Sequence, residues 1–282
     1  MNSEFDIQSS KMSEEQAFLS KYNMADYDRP SVTADIVAFR IRTETGDTYR
    51  HNHKSNLSLL LVKRGEHPYK GTWALPGGFL RKNETVEECA FREIKEETNI
   101  EPISLMPIGV YSNLDRDPRG RIISNAYLSI ISDYREDVLG GTDVEEAEWF
   151  DVSFTEVNGQ YLLELSNKAV AISALLKSVK TIFKKTEYEL VNTCDLAFDH
   201  AEIIATAITL LRSSAKDYEN VLDFLPDRFT LTTLQSVIET IMNVSLTPAN
   251  FRRKIADYVE ETEEYVTGVG HRPAKLFKRK RG

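Results

Sequence analysis

The chain has 282 residues, 41% of them hydrophobic and 28% charged, with two cysteines and a formal net charge of −9. This length accommodates two domains, the composition is that of an ordinary globular protein, no apolar run approaches the roughly 20 residues that cross a membrane, and two distant cysteines make neither a disulfide framework nor a metal-ligand spacing. The acidic balance argues against a generic nucleic-acid binder, yet it is uneven: 23 basic and 32 acidic residues precede Leu196, whereas 12 of each lie from Leu196 to Gly282.

The first 12 residues or so are expected to be unstructured, and the start, MNSEFDIQSSKMSEEQ, lacks the apolar core of a signal peptide. With reduced cysteines, this predicts a cytoplasmic protein with no membrane association. Ser13 to Gln16 reads as a capping box opening a short helix through Tyr22, a packing or dimer-contact element within an N-terminal extension, residues 1–30. Val32 to Ile41 alternates as a strand, Thr43 to Asn56 is a polar loop or hairpin tip, and Leu57 to Val62 is a continuous apolar run typical of a buried strand. Leu75-Pro76-Gly77-Gly78 then turns the chain. Thr85 with Glu88 is a second capping box, so a helix begins near Thr85. On a 3.6-residue period Val86, Cys89, Ala90 and Ile94 share a stripe with Glu93 and Glu97, with Glu96 at its edge. Carboxylates on an inward face repel one another unless a cation neutralises them, and oxygen donors suit a hard divalent ion. An ordinary solvated helix rich in Glu and Lys is the competing reading, which the inward phase of the acids disfavours.

The residues from Gly78 to Ile100, GFLRKNETVEECAFREIKEETNI, resemble the Nudix box. Gly78, Glu84, Arg92-Glu93-Ile94, Glu96-Glu97 and Ile100 all match it. The one departure is Asn99 in place of the final Gly, a position where a helix ends in left-handed conformation and Asn is tolerated next after Gly. The resemblance implies an α/β (α+β) fold, a Nudix α/β/α sandwich around a mixed sheet, over residues 31–195. It also implies hydrolysis of a nucleoside diphosphate linked to another group with Mg²⁺ or Mn²⁺. It makes Glu93, Glu96 and Glu97 metal ligands, with a main-chain contribution from Gly77. Arg92, Glu93, Glu96 and Glu84 form the catalytic set, Glu84 and Arg92 orienting the others. The general base is not identified.

Ile103 to Tyr111 and Ile122 to Ile131 read as paired strands around Asn113 to Gly120, a loop with Pro and Gly turn chemistry. With the upstream GTWALPGG, this loop resembles that of the ADP-ribose-directed branch of the family, which makes Gly78, Asp115, Arg116 and Arg119 candidate substrate contacts. Glu145 to Asp151 resembles the last core strand, with Trp149 and Phe150 assigned to the core. Residues 154–193 are expected to be an insertion. Tyr161 to Leu165, Val170 to Val179 and Tyr188 to Val191 are candidate strands, although KAVAISALLKSVK also fits a helix.

From Leu196 the pattern is helical. Asp199 to Leu211 is amphipathic, with Asp199 as its cap and His200 in a structural or capping role; Leu231 to Met242 is a second helix. Thr247-Pro248 signals the start of a third, from Ala249 to about Val259. Glu264 to Val266 and Ala274 to Phe277 flank Gly268-Val269-Gly270 as a hairpin wing. The stretches LAFDHAEII, NFRRKI and GHRPAKLF resemble the C-terminal domain of Nudix-related transcriptional regulators of NAD metabolism. Residues 196–282 are therefore expected to be a winged helix-turn-helix domain. The candidate DNA contacts are Asn250, Arg252, Arg253, Lys254, His271, Arg272 and Lys275, and a homodimer is expected; a solvated basic face or a plain dimerisation module is the alternative. Two functions follow: an Mg²⁺-dependent pyrophosphatase acting on ADP-ribose or a related compound, coupled to transcription or not, and a non-catalytic ADP-ribose sensor that regulates genes of NAD or sugar metabolism.

Overall fold

The computed structural model describes residues 14–43, 55–100, 102, 105–131, 144–182, 185–266 and 273–280. The chain divides into two compact units, Met1–Pro30 and Ser31–Gly282. In the first, helix α1 (14–21) is followed by a 3-10 turn, Met24–Asp26, capped by the Asn23 side chain, which accepts from the Ala25 N–H. Tyr22 stacks on Tyr27 at 5.6 Å and meets Phe18 at 5.7 Å. Ser13, the expected cap of α1, lies outside the described residues.

The second unit is built on a curled mixed sheet. Its strands are β1 (Ser31–Thr43), β2 (Ser55–Arg64), β3 (Trp73–Ala74), β4 (Gly77–Phe79), β5 (Met106–Tyr111), β6 (Ile122–Ile130), β7 (Val144–Val157), β8 (Gln160–Ser166), β9 (Ala171–Ile182) and β10 (Lys185–Leu190). The order is β10-β9-β8-β7-β2-β1-β6-β5, with β3 on β2 and β4 on β1. β1 and β6 run parallel, and the other described pairs are antiparallel.

β1 shows why helices cover both faces. Successive side chains of a strand point to opposite sides. Ala34, Ile36 and Ala38 pack with Cys89, Ala90 and Ile94 of helix α2 (Val86–Thr98), whereas Val37, Phe39 and Ile41 join the larger core on the other face. That second core contains helix α3 (His200–Ser214) and extends into α4 (Leu231–Met242) and α5 (Pro248–Ile255). This is the expected sandwich.

The segment after β7 continues the sheet as β8, β9 and β10. The helical reading of KAVAISALLKSVK fails, because Ile172, Ala174 and Leu176 are buried with period 2 while Ala171, Ser173 and Lys177 are exposed. α3 lies against β10: the Leu190 N–H donates to Glu202, and Tyr188 and Thr209 share a hydroxyl hydrogen bond. α3 also reaches α4, where Arg212 donates to Ile241 O at 3.3 Å, so it packs on both the sheet and the winged-helix part.

In the C-terminal part, β11 (Phe229–Thr230), β12 (Val259–Val266) and β13 (Ala274–Arg279) form a sheet of order β11-β13-β12, and β12 pairs antiparallel with β13 as the wing. α5 ends at Ile255, four residues before the expected Val259, which instead opens β12. The Tyr258 N–H closes the turn on Ile255 O, and the Lys280 N–H donates to Tyr258 O. Thr247 precedes Pro248 as expected but makes no side-chain cap bond. The wing tip, Gly268 to Gly270, lies outside the described residues.

Candidate functional site

The acidic helix forms as its sequence requires. The Thr85 hydroxyl accepts from the Glu88 N–H at 3.2 Å, and the Glu88 carboxylate accepts from the Thr85 N–H at 2.7 Å. Asn99 ends the helix at φ 57°. Within it, Arg92 organises the acids. Its Nε and Nη2 donate to both oxygens of Glu84 at 2.9 and 2.6 Å, and its Nη1 donates to Glu93 at 2.6 Å and Glu96 at 3.2 Å. The hydrogen bond from Arg92 holds the Glu84 carboxyl down to about 2. Glu93 behaves oppositely: burial raises it in spite of Arg92.

β4 brings Gly77 and Gly78 against this helix. The Gly77 N–H donates to Glu97 at 3.0 Å. Gly78 leaves room for Glu93, since a Cβ there would lie 2.4 Å from Glu93 Oε1. Burial pushes the Glu97 carboxyl up to about 8.

Glu93 and Glu97 open into a cavity of about 450 Å³ with Asp35, Arg64, Phe79, Arg116, Asp117, Arg119, Phe198 and His200 on its walls. Two carboxylates one helical turn apart, all oxygen donors, fit a hard divalent cation. The expected triad does not converge, however. Glu96 is turned onto Arg81, which holds both its oxygens at 3.3 and 3.0 Å, and onto Arg92. Among the described residues no group of three His, Cys, Asp or Glu side chains is placed to hold a metal ion.

The loop between β5 and β6 contributes differently from expectation. Asp115 is exposed and is not among the cavity-lining residues. Arg116 is buried in an ion-pair network: it donates to both oxygens of Asp199 at 2.9 and 2.7 Å and to Asp35 at 3.3 Å. Burial works against its charge, but these carboxylates more than offset that and its pKa is raised. Asp199 therefore makes no side-chain cap to α3, because its carboxylate is committed to Arg116. Arg119 faces the cavity, held by Asp117 at 3.0 and 2.7 Å.

Sequence reasoning missed several wall residues. Asp35 is a lone acid between two buried strand residues, Ala34 and Ile36, which was the available signal. Its carboxylate accepts from Ser124 and Arg116. His200 has the structural role expected of it: its Nδ1 accepts from the Leu75 N–H at 2.9 Å, and Nε2 lies 3.8 Å from Asp35. Burial lowers its pKa, so it is a neutral imidazole at neutral pH. Arg64 ends β2; its Nε donates to Pro68 O at 2.7 Å, and burial, then Arg119, lowers its pKa. Phe198 sits at φ 55°, a left-handed conformation that costs an aromatic residue about 1–2 kcal/mol. Its neighbours impose it. Leu196 bridges to Trp73, the Ala197 N–H donates to Trp73 O at 2.9 Å, and His200 is tied to Leu75.

The candidate DNA face is ordered by its apolar side. Phe251 and Ile255, one turn apart, are buried, and this leaves Asn250, Arg252, Arg253 and Lys254 exposed. Arg253 donates to Asn250 at 2.9 Å. Lys275 on β13 is salt-bridged to Glu261. His271 and Arg272 lie outside the described residues.

A helix-flanked mixed sheet with this glutamate helix, followed by a winged helix, defines a Nudix domain joined to a DNA-binding type of domain. Family models agree: residues 48–162 match the NUDIX domain and 221–278 match the NrtR DNA-binding winged helix domain. The chain is homologous to an "ADPR responsive transcriptional repressor NtrR" of Acinetobacter baylyi, with 29% identity over 94% of this chain and 88% of that protein. It is also homologous to an ADP-ribose pyrophosphatase of Methanocaldococcus jannaschii, with 48% identity over 34% of this chain and 55% of that enzyme, so it spans about half of the latter. Among solved structures, a MutT/nudix family protein from Enterococcus faecalis matches with a TM-score of 0.71 and 28% identity, over 95% of this chain and 93% of that one. NrtR of Shewanella oneidensis in complex with a 27mer DNA matches with a TM-score of 0.60 and 26% identity, over 88% and 93%.

Proposed function

We propose that this chain is a DNA-binding transcriptional regulator whose Nudix cavity takes ADP-ribose or a closely related nucleotide. The observation that carries this reading is the place of α3. Its first residue, His200, and Phe198 two residues before it line the cavity, while Arg212 near its other end donates to Ile241 O of α4 at 3.3 Å. A ligand in the cavity thus touches the helix that packs on the winged helix. The likeness to the Acinetobacter repressor over nearly the whole chain supports the same reading. α5 then meets DNA through Asn250, Arg252, Arg253 and Lys254. The expected homodimer and cytoplasmic location belong to this proposal.

The complete acidic box favours a second activity in the same cavity, hydrolysis of the ligand's diphosphate. The likeness to the Methanocaldococcus enzyme supports it. In this reading Glu93 and Glu97, joined by Glu96 once it leaves Arg81, hold Mg²⁺ or Mn²⁺. The bound ion supplies neutralisation of diphosphate charge. Arg64 and Arg119 orient the phosphates, and Arg92 fixes Glu84 and Glu93.

One experiment addresses both readings. The protein is incubated with DNA from its own upstream region, with and without ADP-ribose, and products are followed by chromatography with and without Mg²⁺. We expect a salt-sensitive mobility shift that ADP-ribose alters. No shift with any upstream fragment at low salt refutes the regulator reading. Absence of AMP with Mg²⁺, and with Mn²⁺ in its place, refutes the hydrolytic one.

A further inference from the structure

β2 and β7 pair from Arg64 opposite Val144 to Ser58 opposite Asp151, and then separate. Beyond that point β2 stays on β1 as far as Ser55, and β7 stays on β8 as far as Val157. A cavity of about 710 Å³ occupies the fork, within the size range of small-molecule sites. Its walls include Ser55, Asn56 and Val152 at the strand edges, Arg212 of α3, Thr240 of α4 and Asn243, the C-cap of α4. It shares no wall residue with the cavity of Glu93 and Glu97. Separated strand edges present backbone donors and acceptors outside the ladder. The Thr240 hydroxyl already takes one of them, donating to Ser55 O at 3.0 Å.

Arg212 is the unusual wall residue. Its Nε donates to Ile241 O at 3.3 Å, and its guanidinium lies 5.6 Å from the Phe154 ring centroid. Among the described residues no carboxylate pairs with it; burial lowers its pKa, and the group that opposes this is the Tyr188 hydroxyl. Arg92 and Arg116, by contrast, each hold two or more carboxylates. A partly buried cation without a counter-charge costs free energy, and a ring contact returns only part of it. The acids of the wall do not supply the charge. Phe154, Leu165 and Ile172 form the buried row of the sheet, while Asp151 and Glu164 take alternate, exposed positions. Those two accept from Ser58 and Ser153 at 3.1 and 3.2 Å. We propose that the fork cavity is a second small-molecule site, for a ligand whose carboxylate or phosphate group is held by Arg212. A guanidinium has five donors in a planar fork that fits either oxyanion, and here one donor is used. The Asn243 amide and the strand edges receive the rest of the ligand. Such a ligand bridges the sheet, α3 and α4, and so reaches the α3–α4 joint from outside the nucleotide cavity.

The test is calorimetry on the full chain in EDTA at constant ionic strength, with millimolar inorganic phosphate and succinate as probes. Wild type should bind at least one of them saturably. Arg212→Gln should weaken that probe about tenfold or more, as loss of a charged hydrogen-bonding partner implies, and Arg212→Lys should fall between the two. Asn243→Asp serves if Arg212→Gln does not fold. Asn243 is exposed at φ 52°, a conformation that Asp also adopts, and the added charge should weaken the same probe. Binding of phosphate alone assigns a phosphate-bearing ligand, and of succinate alone a carboxylate-bearing one. A chain that binds neither probe overturns the site. So does a probe that Arg212→Gln and Asn243→Asp bind as wild type does, since phosphate held by Arg64 and Arg119 would be indifferent to both changes. If Arg212→Gln melts at lower temperature yet keeps probe affinity, Arg212 is a packing residue and the site is wrong.

Discussion

Two adjacent glycines make a sharp test of how the site is built. An alanine Cβ at position 77 would lie 2.2 Å from Ala34 O and 3.0 Å from the Asp35 Cα. Both are backbone atoms of β1, which pairs with β4 through Asp35 and Gly77. Neither can retreat without disturbing the ladder. At position 78 the nearest atoms are Glu93 Oε1 at 2.4 Å and Glu93 Cδ at 2.5 Å, the far end of a flexible side chain. Overpacking costs about 1–3 kcal/mol, and more where backbone must move. Gly77→Ala should therefore lose about 3 kcal/mol or more in a urea titration, and Gly78→Ala about 1 kcal/mol or less. Metal-dependent nucleotide binding should show a separate effect: Gly78→Ala displaces the Glu93 carboxylate from Arg92 and from the cavity, so calorimetry with Mg²⁺ and ADP-ribose should show a loss although the fold is intact. Equal stability losses in the two variants, or wild-type binding by Gly78→Ala, would refute this account of the glycine pair.

Asp199→Asn leaves the Arg116 side chain, 4% exposed, with Asp35 as its remaining carboxylate. Breaking a buried pair costs about 3–5 kcal/mol, and a matched apolar replacement avoids it, so thermal melts should show a large loss that adding Arg116→Met partly reverses. His200 resists protonation in the folded state because it is buried. Below its unfolded value of about 6.5 the unfolded chain takes up a proton that the folded chain does not. This contribution is present above that pH and is lost as pH falls, with a slope of at most about 1.4 kcal/mol per unit; His200→Gln should flatten the acid limb of a stability–pH curve. Arg253→Ala should weaken DNA binding and lower the slope of log affinity against log salt by roughly 1 if Arg253 meets a phosphate. An unchanged slope and affinity would place Arg253 outside the interface.

What was legible in the chain depended on whether its cause was local. The α2 caps at Thr85 and Asn99, the start of α5 at Pro248 and the alternation of β1 all rest on neighbours a few residues away, and each appears as read. β9 was ambiguous because KAVAISALLKSVK carries both periods, and only pairing with β8 and β10 decides between them. Asp199 stands at the N-cap position of α3 as read, but its side chain makes no cap bond because its partner, Arg116, lies 83 residues earlier. Phase put Glu96 only at the edge of the stripe, and the motif resemblance joined it to Glu93 and Glu97; the reach of Arg81 across the turn, which draws it away, has no periodic signature. The packing of α3 on β10 was hidden for the same reason, since these contacts are tertiary.

α3 is also where the energetic argument converges. A ligand shifts DNA affinity only by its differential affinity for the states that bind DNA well and poorly. A tenfold shift needs about 1.4 kcal/mol. The left-handed Phe198 stores about 1–2 kcal/mol, and the Arg116–Asp199 pair beside it is worth more. Both lie where α3 begins, with Phe198 and Arg116 on the cavity wall, and α3 reaches α4 through Arg212. Relief or reinforcement of either term is therefore of the size a switch requires, without rearranging the sheet. Coupling of this kind is reciprocal, so under the proposed function, DNA held by α5 should change ADP-ribose affinity in the cavity by the same factor that ADP-ribose changes DNA affinity, and calorimetry with and without operator DNA that showed no such change would refute the coupling.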